Sequence, residues 1–157
     1  MRNDDVIKSI RYTLDLNDAT ISEVLLLAGY QPTRGEVKEI LAPADPEAEK
    51  NPDCSDELMA HFLDGLIFYK RGKSDKHPPR PIKTPVTNNM VLKKLRVAFK
   101  LREEDIHRIL KLADFSVSSP ELNALFRSED HRNYRECGDQ LLRYFLKGLS
   151  IEYRDDL

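Results

Sequence analysis

Residues 3–41 of this chain align without a gap on residues 88–126, and ten of the aligned pairs are identical where ordinary composition gives about two or three. The pairs are Asn3/Asn88, Val6/Val91, Lys8/Lys93, Arg11/Arg96, Leu16/Leu101, Ile21/Ile106, Leu25/Leu110, Leu27/Leu112, Ala28/Ala113 and Glu36/Glu121. A second block follows after a loop two residues longer in the first copy, and pairs Cys54/Cys137, Asp56/Asp139, Leu58/Leu141, Phe62/Phe145, Leu63/Leu146, Gly65/Gly148, Leu66/Leu149 and Arg71/Arg154. The chain is one module made twice, so a structural requirement met in one copy should be met again in the other.

Apolar residues recur at spacings of three and four, which makes the module helical. A first helix carries Val6, Ile7, Ile10 and Leu14, matched by Val91, Leu92, Leu95 and Phe99. A second carries Ile21, Val24, Leu25 and Ala28, matched by Ile106, Ile109, Leu110 and Ala113. Gly29 is placed to end it, with Asp114 at the equivalent position. A short third helix opens on Thr33-x-x-Glu36 and Ser118-x-x-Glu121, the spacing at which a hydroxyl and a carboxylate each satisfy a free backbone N–H. The fourth runs from Asp56 to Arg71 and from Asp139 to Tyr153, turning Leu58, Phe62, Leu63 and Leu66, and Leu141, Phe145, Leu146 and Leu149, inward. The expected fold is therefore all-α: a tandem duplication of a four-helix module, about eight helices in all, packed as a pseudo-twofold pair.

The expected boundaries are 1–71 for the first module, 72–86 for a linker and 87–157 for the second. The linker GKSDKHPPRPIKTPV holds Pro78, Pro79, Pro81 and Pro85, which exclude helix and favour an extended strip. At roughly 3.1 Å per residue it reaches about 45 Å, enough for packed modules, separate beads or exchange between chains. Charge divides along the same lines. Residues 1–71 carry 8 basic and 14 acidic side chains, the linker 4 and 1, and residues 87–157 carry 13 and 12. An acidic first module and mildly basic remainder do not make a generic polyanion binder.

With 40% hydrophobic and 33% charged residues the chain is expected to be globular. It has no apolar run of about 18 residues, and MRNDDVIKSI lacks the basic-then-apolar order of an export signal. Two cysteines without CxxC or HxxxH companions fit a reducing compartment, so the expected location is the cytoplasm, with no membrane contact.

Three strings carry a resemblance. NYRECGDQLLRYFLKGL (133–149), NNMVLKKLRVAFKL (88–101) and CSDELMAHFLDGLIFYKRG (54–72) resemble the YehS-like family of bacterial proteins, tandem copies of a domain of unknown function, over essentially the whole chain. The resemblance implies an all-helical, duplicated, cytoplasmic protein and carries no catalytic residues with it.

Candidate sites come from the duplicated polar and small residues. Cys54 and Cys137 precede helix four, where a helix N-terminus can lower a thiol pKa, although a small half-buried packing residue is the plainer reading. Gly65 and Gly148 interrupt amphipathic helices at a cost of about 1 kcal/mol each relative to alanine, so each should admit another helix, the partner module's helix four being one option, or a ligand. Lys8 with Arg11, and Lys93 with Arg96, form a repeated pair suited to an anion or a protein partner. Asp4 and Asp15, four residues from Lys8 and Arg11, can neutralise the first pair. The four histidines, His61, His77, His107 and His131, show no metal-ligand spacing, and neither metal nor cofactor is expected.

LLLAGYQPTRGEVKEIL (25–41) has the outline of a helix-turn-helix, but its turn is long and Glu36 and Glu39 would face phosphate. SSPELNALF in the second copy supplies no base there. Lys73, Lys76, Arg80 and Lys83 of the linker are the remaining nucleic-acid candidates. The expected function is non-enzymatic binding or adaptor activity through a protein partner or self-association, since neither copy pairs a nucleophile or base with an orienting group. Nucleic-acid binding, and a redox or small-ligand role for Cys54/Cys137, are the alternatives.

Overall fold

The computed structural model describes residues 1–47, 53–73 and 81–154. They form eight α-helices, with no strand among the described residues: α1 (Asn3–Leu14), α2 (Asp18–Leu27), α3 (Glu36–Leu41) and α4 (Asp56–Arg71) in the first copy, then α5 (Asn88–Ala98), α6 (Glu103–Leu112), α7 (Ser119–Leu125) and α8 (Asp139–Arg154) in the second. No helix among the described residues is long and apolar enough to cross a membrane. Lys76, Arg80, Pro78 and Pro79 of the linker lie outside the described residues, as do 48–52 of the acidic loop.

Helix ends follow from local chemistry repeated in both copies. Asp15 and its equivalent Lys100 turn left-handed at φ 52° and 55°, and each lets the following leucine N–H reach back to the Arg11 or Arg96 carbonyl (3.0 and 2.9 Å). Gly29 (φ 91°) and Asp114 (φ 58°) do the same after α2 and α6, returning the Tyr30 and Phe115 N–H groups to the Leu25 and Leu110 carbonyls. The N-termini differ more. Asn17 caps α2 by accepting from Thr20 N–H at 2.8 Å, whereas in α6 the Asp105 carboxylate reaches back to the Arg102 N–H at 2.8 Å.

Only half of the expected capping box forms in the second copy: Ser118 Oγ accepts from Glu121 N–H at 3.2 Å, but the Glu121 carboxylate takes the Ser118 hydroxyl at 3.0 Å in place of the Ser118 N–H. In the first copy Thr33 is not the cap. Glu36 does reach back to the Thr33 N–H at 3.1 Å, but a tight turn with Gly35 at φ 89° intervenes and the helix starts only at Glu36.

The core is one continuous apolar body drawn from both copies. Its largest fully buried side chains include Phe62 and its equivalent Phe145. Helix four turns one more residue inward than its expected stripe, Met59 in α4 and Leu142 in α8, both 0% exposed, while Leu141 is only partly buried. Packing then crosses between copies. α4 lies between α2 of its own copy and α5 of the other; α8 lies between α6 of its own copy and α1 of the other. Each helix one thus rests mainly on the opposite copy's helix four and touches its own only lightly. The arrangement is a pseudo-twofold pair in which neither copy closes its own core.

Candidate functional site

Two polar pairs identical in both copies, Asn3/Asn88 and Asp56/Asp139, meet at junctions between helices. At the start of helix four, Asn3 Nδ2 donates to the Cys54 carbonyl at 3.2 Å and to Asp56 Oδ1 at 2.8 Å. Asn88 repeats both bonds, to the Cys137 carbonyl at 3.0 Å and Asp139 Oδ1 at 2.7 Å. Each aspartate also takes a donor from the segment entering the opposite copy's helix one. Asp56 Oδ2 accepts from Val86 N–H at 3.1 Å, and Asp139 Oδ1 lies 2.6 Å from the amino nitrogen of Met1, the residue equivalent to Val86. One asparagine and one aspartate per copy therefore join three chain segments with charge-assisted bonds.

The cysteines belong to these junctions through their backbones. Both are free thiols, Cys54 half-buried and Cys137 buried. Burial, with the negative charges of Asp53 and Asp4 beside it, pushes the Cys54 thiol up to about 12. Burial and Asp139 push the Cys137 thiol up to about 11. That is the opposite of the lowering a helix N-terminus can give, because burial and the neighbouring carboxylates dominate at both thiols.

Gly65 and Gly148 have a definite neighbour. A β-carbon on Gly65 would stand 2.0 Å from the Val24 carbonyl oxygen, and one on Gly148 would stand 2.0 Å from that of Ile109. Helix two of the same copy makes the close approach, not the other copy's helix four, and backbone rather than a ligand fills the space.

The repeated basic pair comes apart in the structure. Lys8 Nζ lies 3.7 Å from Asp4 Oδ2, the expected ion pair, and Arg2 holds the same carboxylate at 3.0 Å. Asp15, expected opposite Arg11, instead lies 3.9 Å from Arg154 because its left-handed backbone turns it off the α1 face. Arg11 is exposed. Arg96 is half-buried, donating from Nε to the Leu101 carbonyl at 3.2 Å with its guanidinium 4.6 Å from the Phe126 ring centre. Lys93 is exposed and lines a cleft beside α5.

Sequence reasoning missed a difference between equivalent outer faces. Leu26 on α2 is 48% exposed and Tyr69 on α4 is 42% exposed. The equivalent of Leu26 is Lys111; the equivalents of Glu23 and Tyr69 are Arg108 and Glu152, an ion pair at 2.7 Å. The identical pair Leu27/Leu112 lies between, and Leu112 is 41% exposed among Arg108 and Lys111. A residue-by-residue comparison of the copies at charged positions contains this signal. The connection from α2 to α3 spans residues 28–35, longer than the three or four residues of a helix-turn-helix. Among the described residues no three His, Cys, Asp or Glu side chains gather as a metal-ligand set.

The chain is 42% identical to the "Uncharacterized protein YehS" of Escherichia coli (strain K12) over 150 residues, covering 96% of this chain and 95% of that protein. No solved structure matches it. The family described as "Protein of unknown function (DUF1456)" matches twice, over residues 3–72 and 88–155, so the crossed helices and junctions above are those of two tandem domains in one chain. The chain belongs to that YehS-like family.

Proposed function

We propose that the chain is a non-enzymatic binding protein of the cytoplasm that docks a partner protein on the outer face of α2 and the end of α4. The observation that carries this reading is the exposure of Leu26 and Tyr69, at 48% and 42%, where the other copy places a lysine and a closed ion pair. Covering such side chains favours association by roughly 25 cal/mol for each Å² of apolar surface removed from water. Asp18 and Glu23 belong to the same helix and the first copy is acidic overall. The fitting partner presents apolar side chains flanked by lysine or arginine. A non-enzymatic role agrees with the thiols, whose raised pKa values keep them protonated and unreactive near neutrality.

The test transplants the second copy's surface onto the first. Proteins captured by wild type and by K111L, but lost from L26K/Y69E with an unchanged thermal melt, are the expected outcome. Equal capture by L26K/Y69E would refute the reading. Sedimentation of the purified chain separates a foreign partner from self-association.

A further inference from the structure

We infer that the second copy holds a binding cleft for a small organic anion, at the place where the first copy neutralises itself. In the first copy, Lys8 is paired with the buried Asp4 carboxylate, which Arg2 also holds. Asn89 is the equivalent of Asp4, and it is neutral. Its side chain is fully committed to the backbone, accepting from Cys137 N–H at 2.8 Å and donating to the Leu125 and Arg135 carbonyls at 3.0 and 2.8 Å. Lys93, equivalent to Lys8, has therefore lost its carboxylate and lines a cleft of about 530 Å³ together with Lys83 and Arg127.

The volume is that of a small-molecule site. Met90, Phe126 and Tyr134 supply an apolar wall, and Arg96 lies against the Phe126 ring at 4.6 Å. Glu129 and Asp130 also line the cleft, both exposed, so three cations face two carboxylates. That balance favours one compact anionic group over a polyanion. The ligand class is a phosphate monoester or carboxylate carried on a flat apolar body, and the site is separate from the docking face proposed above.

Titration calorimetry on the full chain with phenyl phosphate, benzoate, inorganic phosphate and phenol tests this. Binding of phenyl phosphate or benzoate is expected, weaker at high salt, with phenol and inorganic phosphate bound less well. The relative strengths of phenyl phosphate and benzoate identify which anionic group the cleft takes. K93A and K83A should each weaken binding about tenfold, the loss of one hydrogen bond to a charged group, whereas K8A leaves it unchanged. No binding by either aromatic anion, binding indifferent to K93A and K83A, or tighter binding of a single-stranded oligonucleotide would each overturn the inference. Because Lys93 and Lys83 are exposed, these variants keep the fold, and a thermal melt verifies it.

Discussion

Arg154 closes over Tyr12 of the opposite copy: its guanidinium carbon lies 4.0 Å from the ring centre and Nη1 donates to the Tyr12 carbonyl. Its equivalent Arg71 reaches the Val97 carbonyl in the same sense, at 3.4 Å, but Val97 offers no ring. The two arginines thus pin helix four of one copy to the end of helix one in the other. R154A should cost about 1–2 kcal/mol of unfolding free energy, combining a hydrogen bond and a cation–π contact with the exposed Asp15 ion pair, and R71A less than about 1 kcal/mol. Urea denaturation of both variants measures the difference, and equal losses would show that neither the ring nor the Asp15 pair contributes.

Alanine at Gly65 or Gly148 places a β-carbon far inside van der Waals contact distance of a carbonyl oxygen that α2 or α6 cannot move without breaking its own packing. Each substitution should destabilise by about 3 kcal/mol or more, at the severe end for overpacking. Because the core is shared, either should lower the single melting transition of the whole chain, with no melting confined to one copy. Calorimetry shows which occurs.

Acid should unfold the protein partly through Asp4. Burial pushes its carboxyl up, but hydrogen bonding with Arg2 and Asp53 and the charges of Arg2 and Lys8 outweigh this and hold it below the usual carboxylate range. A carboxyl with a lowered folded pKa contributes stability above its unfolded value, near 3.9, and loses it as pH falls through the folded value. Denaturation midpoints should therefore drop below about pH 4, and D4N should flatten that limb. Some slope remains in D4N, since Asp105, bonded to Arg102 N–H and Arg108, and Asp139, bonded to the Met1 amino group and Asn88, are also held low.

The cysteines give the opposite pH dependence. Both thiols are raised in the fold, so their contribution is complete below the unfolded value of about 8.5 and declines as pH rises toward the folded values. Thiol titration at pH 8 should find Cys137 protected, Cys54 slow, and both reactive once guanidinium unfolds the chain. Rapid native labelling of Cys137 would contradict its burial.

The amphipathic stripes of the first, second and fourth helices are legible because burial must repeat every three to four residues, and the duplication aligns them. Periodicity identifies which face is buried and not what covers it, so the crossing of α1 onto α8 and α5 onto α4 is invisible to it. Gly65 is a similar case: the residue announces a close approach, while its neighbour Val24 emerges only from the packing of α2. The Lys8–Asp4 pair follows from helical spacing, but Arg11 and Asp15 do not meet because a left-handed residue ends the helix between those expectations. Repeated identity at Asn3/Asn88 and Asp56/Asp139 marks internal junctions, and the informative surface positions are those where the copies differ, Leu26 against Lys111 and Asp4 against Asn89.

The crossed packing also sets an order of events on the ribosome. α1 ends at Leu14, yet the helix it mainly rests on begins at Asp139, and until that segment is made its apolar face has only the light cover of α3 and α4. Such a distant pairing slows folding relative to an up-and-down helical bundle, and leaves the growing chain dependent on transient shielding. Truncation before α8 therefore removes the seats of α1 and α6 together, so a nascent chain halted there, though it lacks only the last helix, is a substrate for chaperones and proteases instead of a functional domain.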